Sequence, residues 1–185
     1  GKSMHFQGTD IPGVQLVSPY IWGDSRKFLT ELIGLECSSS LPKFVQDNTS
    51  LSEKKHTLRG MHYQRPPHAQ AKLVRCSQGE LLDVVVDIRI GSPTFGKCNA
   101  VVLSAENRLR LFVPKGFLHG FLTLVDDAVI EYSCSDYFAP ECDGSVHWNS
   151  LDFDWGNIDP VVSEKDAAAV TFDEFKSPFR YGAEQ

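Results

Sequence analysis

The chain has 185 residues, 42% of them hydrophobic and 23% charged. That size and balance suit one globular domain, since single cores serve up to roughly 250 residues. The formal net charge of −6 argues against a general nucleic-acid binder, which leans on clustered Lys and Arg, but leaves room for a small anion in a local cationic pocket. No run approaches the roughly 18 apolar residues of a membrane span, and the start lacks the apolar stretch of a secretory signal.

Residues 1–8 stand apart. His5-Phe6-Gln7-Gly8 is similar to the leftover of a cleaved purification tag, so this stretch is excluded from the fold and residues 9–185 are expected to form one domain. Residues 14–22 are apolar and β-rich. Residues 25–33 carry the pattern of one or two helical turns, with Gly34 as the stop. Phe44-Val45-Gln46-Asp47-Asn48 ends in turn formers. Residues 73–75 and 81–90 flank Ser77-Gln78-Gly79, which predicts a hairpin. Val84-Val85-Val86 is continuous and β-branched, as in a strand buried on both faces. Two further hairpin-like breaks fall at Ser104-Ala105-Glu106-Asn107 and at Asp126-Asp127. Ser163 is placed to N-cap a short helix over residues 164–169, and the polar tail from Asp173 reads as a surface arm. Many short strands with Gly and Pro turns give an all-β sandwich or small barrel, and a two-sheet jelly roll with short flanking helices is the expected form.

The five cysteines (Cys37, Cys76, Cys98, Cys134, Cys142) are odd in number and form no CxxC pair, so neither a zinc site nor a dithiol motif is indicated. Cys76, Cys98 and Cys134 fall in strand-like runs and read as buried small hydrophobes, which suits a reducing cytoplasm.

Chemistry concentrates in a few places. On a strand, Gly60, His62 and Gln64 share a face, which turns an imidazole and an amide into a barrel interior. A lone core histidine with one hydrogen bond is the ordinary reading, and the density of polar neighbours favours function instead. His119 follows Pro114-x-Gly116 and reads either as a ligand-binding or metal-binding group or as a structural imidazole. Tyr132 has the spacing of a packing residue on a strand, and Asp166 that of a solvated helix face. Arg26, Arg59, Lys72, Arg75 and Lys165 are the cations available to an anionic ligand. Residue reasoning ends at a candidate set of His62, His119, Tyr132, Asp166, Lys72 and Arg59.

Over residues 14–169 the chain resembles the dTDP-4-dehydrorhamnose 3,5-epimerase family, cupin-type jelly-roll enzymes of dTDP-sugar synthesis. The matching blocks include Gly23-Asp24-x-Arg26, Phe44-Val45-Gln46-Asp47-Asn48, Leu58-Arg59-Gly60-x-His62, Lys72-Leu73-Val74-Arg75 and Asp83-Val84-Val85-Val86-Asp87. They continue through Gly91-Ser92-Pro93-Thr94-Phe95-Gly96, Leu103-Ser104-Ala105-Glu106-Asn107, residues 114–121 and Lys165-Asp166-Ala167-Ala168.

The resemblance implies a substrate, dTDP-4-keto-6-deoxy-D-glucose, whose C4 ketone acidifies the protons on C3 and C5. Inversion needs a base on one face of the ring and an acid on the other. By the family match His62 is the base, Asp166 orients it, Tyr132 is the acid, and Lys72 stabilises the enolate. Arg59 and Lys165 match positions that contact the anionic part of the substrate. Arg26, Phe28, Glu31, Gln46, Asp47, Asn48, His119, Phe138 and Asp143 match other substrate-binding positions, some supplied across a homodimer. No metal or organic cofactor is needed, because the ketone is itself the electron sink. Two departures stand out: Lys27 replaces the family's usual glycine, and Phe138 replaces a frequent tyrosine.

Three other readings remain: a relative inverting a single centre, a metal-dependent cupin, and a non-catalytic dTDP-sugar binder. The metal reading is the weaker for having Gln64 two residues after His62 where a second His is expected, with no Glu nearby. The intact set His62, Tyr132 and Asp166 opposes a pure binder, since binding needs no flanking acid and base.

Overall fold

The computed structural model describes residues 4–30 and 41–183, so Glu31, Cys37 and the end of the 25–33 segment lie outside the described residues. The strands are, in chain order, β1 (His5–Gly8), β2 (Gln15–Ser18), β3 (Ile21–Asp24), β4 (Lys27–Thr30), β5 (Gln46–Ser52), β6 (Leu58–Gln64), β7 (Lys72–Gln78) and β8 (Glu80–Asp87). There follow β9 (Arg89–Ile90), β10 (Cys98–Ser104), β11 (Arg110–Val113), β12 (Phe117–Thr123), β13 (Ala128–Cys134), β14 (Asp143–Ser145), a one-turn helix α1 (Glu164–Ala167) and β15 (Phe179–Arg180). A six-stranded sheet runs β1-β2-β11-β7-β13-β5, and a five-stranded sheet runs β10-β8-β12-β6-β14. The two antiparallel sheets enclose a core and make the expected jelly roll.

Alternation along the strands explains the layering. Val74, Cys76, Leu111, Val113 and Ile130 meet Leu81, Val85, Leu103, Phe117 and Phe121 between the sheets. The opposite face of the five-stranded sheet sends Leu58, Met61, Val84, Val86, Leu118 and Leu122 against Val146, Trp155 and Phe179. Val84, Val85 and Val86 are therefore fully buried on both faces of β8, as their continuous run demands. At about 1.5–3 kcal/mol for each fully buried aliphatic side chain, this strand ties both clusters together.

The three expected hairpins are corners instead. β7 lies in the six-stranded sheet and β8 in the five-stranded one, and the same change of sheet separates β10 from β11 and β12 from β13. Turn chemistry dictates that the chain reverses, but the burial of both inner faces decides which strand it pairs with.

Local expectations differ in four other places. Residues 27–30 form a strand rather than a helix: β3 and β4 pair with Asp24 opposite Lys27, and Asp24 Oδ1 accepts from the Arg26 N–H at 2.8 Å across a two-residue loop. Gln46, Asp47 and Asn48 lie in β5, opposite Cys134, Ser133 and Tyr132, rather than in a turn. The tail beyond Asp173 is anchored, since Phe179 is 1% exposed and β15 pairs in parallel with β9. Residues 5–8, excluded on sequence grounds, form an edge strand against β2, and Met4 and Phe6 pack with Val17 and Phe112.

Ser163 caps α1 as expected, its hydroxyl accepting from the Asp166 N–H at 3.1 Å. Among the described residues no helix is long and apolar enough to cross a membrane.

Candidate active site

His62 stands on β6 in the five-stranded sheet, and its Nε2 lies 2.7 Å from Oδ1 of Asp166 on α1. The other carboxylate oxygen accepts the Gly60 N–H at 3.0 Å. Gly60 makes this contact where β6 and β12 approach too closely for side chains. A Cβ there would sit 2.8 Å from Gly120 Cα, and one on Gly120 would sit 2.8 Å from the Arg59 carbonyl oxygen. The ladder between the two strands shifts register just beyond the His119–His62 pair. Burial pushes the Asp166 carboxyl up, but the His62 ring, the Gly60 N–H and the Lys165 charge outweigh it and hold the group below the usual carboxylate range. An ionised Asp166 on Nε2 leaves Nδ1 of His62 as the nitrogen able to accept a proton.

Tyr132 and Lys72 belong to the facing sheet, on β13 and β7. Burial pushes the Tyr132 phenol up, Cys134 adds to this, and Asn48 and Arg59 oppose it, so the group keeps its proton at neutral pH. Lys72 faces the cavity, with Nζ 5.5 Å from the centre of the Tyr132 ring. Burial pushes its ammonium below the usual lysine value, against Cys134, Asp83 and Asp143. His62 and Tyr132 thus come from opposite sheets, across a cavity of ≈ 380 Å³ that both line together with Lys72, Gln64, Phe138 and Asp143.

Other expected residues separate into three places. Gln46, Asn48, Phe138 and Asp143 line the cavity, and the Gln46 carboxamide oxygen accepts the Phe138 N–H at 3.0 Å. At the rim, Lys165 Nζ pairs with Asp143 Oδ2 at 2.5 Å, and the exposed Arg59 donates to Ser52 Oγ at 3.2 Å and to the Leu51 carbonyl at 3.1 Å. Away from the cavity, Asp47 accepts from Ser133 Oγ at 2.6 Å on the outer face of the six-stranded sheet. That face holds a larger hollow of ≈ 480 Å³, but its charged pair Arg75–Glu131 neutralises itself and His62 is absent from its lining. Arg26 and Phe28 sit on the β3–β4 hairpin, Arg26 paired with Asp24 and Phe28 beneath the Arg108 guanidinium at 4.1 Å.

His119 lies in a deeper recess shared with His62 and Lys72. Both oxygens of Asp83, at 3.0 and 2.9 Å, meet its Nε2. Gln64 is fully occupied by the main chain. Its amide nitrogen donates to the His68 and Tyr137 carbonyls at 2.6 and 2.8 Å, and its oxygen accepts from the Ala139 N–H at 3.0 Å. Among the described residues no group of three or more His, Cys, Asp and Glu is arranged to hold a metal ion.

The dTDP-4-dehydrorhamnose 3,5-epimerase family profile matches residues 8–174. The chain belongs to that family. It is 45% identical over 173 residues to the dTDP-4-dehydrorhamnose 3,5-epimerase of Salmonella typhimurium, covering 90% of this chain and 94% of that one. Its fold matches the Legionella pneumophila epimerase solved in complex with dTDP-4-keto-L-rhamnose, with TM-score 0.89, 39% identity, and coverage of 97% of this chain and 100% of that one. It also matches ChmJ, a 3'-monoepimerase from Streptomyces bikiniensis solved with dTDP-quinovose, with TM-score 0.82, 36% identity, and coverage of 89% and 86%.

Sequence reasoning about this epimerase-family chain missed Asp83, Cys134 and Gln70 as residues beside the site. Asp83 left a trace: a carboxylate at an inward position between Leu81 and Val85 contradicts the apolar alternation of its strand. Cys134 and Gln70 left none, because their place depends on which sheets face each other.

Proposed function

We propose that the protein inverts C3 and C5 of dTDP-4-keto-6-deoxy-D-glucose to give dTDP-4-keto-L-rhamnose. The supporting observation is the Asp166-oriented His62 facing a protonated Tyr132 across one cavity, with Lys72 beside them. Nδ1 of His62 takes the proton from C3, the C–H electrons form a C3–C4 double bond, and the carbonyl π pair moves to the C4 oxygen. Lys72 neutralises that oxyanion, the kind of stabilisation that often dominates catalysis. Tyr132 then delivers a proton to the opposite face of C3 and the ketone re-forms. Once His62 has released its proton to solvent and Tyr132 has regained one, the same sequence at C5 completes the reaction. Reactant and product are isomers, so no electron acceptor is consumed.

The nucleotide end is assigned to the rim. Arg59 and Lys165 receive the diphosphate, Lys165 by exchanging its bond to Asp143, and Phe138 offers a ring face to the thymine. Gln46, Asn48, Asp143 and His119 contact the rest. Arg26 and Phe28, exposed and away from the chain's own cavity, are assigned with Asp47 to contacts across a homodimer. Size-exclusion chromatography with light scattering tests the dimer, and twice the chain mass is expected.

Similarity to a 3'-monoepimerase supports one second reading, inversion at a single centre by the same residues. Proton NMR in heavy water separates the two. Deuterium entering both C3 and C5 supports the proposal, deuterium at C3 alone supports the single-centre reading, and exchange at neither overturns both.

A further inference from the structure

Asp83 is a charged group in an apolar place. It stands on β8 between Leu81 and Val85, which pack in the core between the sheets, and it is 0% exposed. Burying a carboxylate there is costly unless partners compensate, and a residue serving packing alone would be better apolar. The only hydrogen-bonding partner of its side chain among the described residues is Nε2 of His119, which reaches both oxygens. His119 is itself 7% exposed. It pairs directly across the ladder with His62, so the two rings project from neighbouring positions on one face, with Cβ atoms about 5 Å apart.

These facts divide the His119 ring into two ends. Nε2 donates its proton to Asp83, which fixes the tautomer and the ring plane. Nδ1 is then the nitrogen left for a cavity ligand, and it belongs next to the base, at the sugar end. We propose that Asp83 is a positioning residue for the epimerisation, holding His119 so that its Nδ1 meets an oxygen of the hexose while His62 removes the proton. The substrate identity in this inference rests on the function proposed above.

The test is Asp83→Asn, alone and combined with His119→Gln. An amide keeps the size of the carboxylate but presents both a donor and an acceptor, so it no longer imposes one ring orientation. In the wild-type protein, nitrogen-detected NMR of His119 should show a proton held on Nε2, and this pattern should be lost or mixed in Asp83→Asn. Turnover of dTDP-4-keto-6-deoxy-D-glucose should fall at least tenfold, whereas binding of dTDP, which lacks the sugar, should stay within about twofold. Asp83→Asn should add less than threefold to the loss already caused by His119→Gln.

Wild-type turnover from Asp83→Asn, or multiplicative losses in the double variant, overturns the positioning role. So does joint loss of thermal stability and dTDP binding, which marks a purely structural carboxylate. If the wild-type protein does not act on this sugar, the functional reading fails, while the tautomer measurement still decides whether Asp83 sets the His119 ring.

Discussion

Replacing Asp166 with Asn removes one charge and changes almost nothing in shape, which makes it the sharpest probe of the proposed His62 base. In the folded chain Asp166 accepts from the Gly60 N–H at 3.0 Å and lies 2.7 Å from Nε2 of His62. An asparagine can keep the Gly60 bond through its carbonyl oxygen, which turns its NH₂ towards Nε2. Nε2 must then accept, so the ring proton moves to Nδ1, the nitrogen proposed to act as the base. A protonated Nδ1 on a neutral ring cannot abstract a proton, and the general-base contribution of about 10²–10⁴-fold is lost, equivalent to about 3–5 kcal/mol of barrier. The assay is the initial rate of C3 and C5 deuterium uptake, alongside dTDP affinity by calorimetry. The expected result is a kcat at least 100-fold lower with dTDP affinity within threefold. A kcat within tenfold of wild type would refute the orienting role and, with it, the proposed use of Nδ1.

Three further outcomes are expected. Burial lowers the Lys72 ammonium and raises the Tyr132 phenol, so kcat should fall on the alkaline side below the usual lysine range as Lys72 loses its charge, a limb that Lys72→Arg should move to higher pH. Because the folded-state Asp166 pKa is depressed, its contribution to stability is complete above about pH 4 and disappears as pH falls through the folded value. Acid unfolding of Asp166→Asn should therefore show a shallower pH dependence in that range. Lys27 holds φ +109 in the β3–β4 turn, where a glycine would be free of strain. Lys27→Gly should gain about 1 kcal/mol and raise Tm by about 2–4 °C in calorimetry.

Much of the fold was legible because strand patterning is local. The triple valine of β8 announced its two-sided burial, and Ser163 announced the cap of α1. The hairpins were misread for a physical reason. Ser77-Gln78-Gly79 encodes a change of direction, while the choice between pairing with the preceding strand and crossing to the other sheet depends on faces that must be covered from far along the chain. Residues 27–30 illustrate the same limit, since a short stretch with weak helical patterning took its structure from the strand beside it.

The site divides along the same line. Which groups are available is written in the chain: an imidazole two residues beyond a glycine on a strand, a phenol on another, a lysine, and an aspartate held by a serine-capped turn. The motif blocks also carried the family. It takes the packed fold to bring Asp166, 104 residues beyond His62, into contact with it, and to set Tyr132 opposite on the other sheet. Only the tertiary structure also showed that a buried Asp83 holds His119. Proton transfer depends on distances of a few ångströms, and such distances between remote strands are set by how two sheets pack.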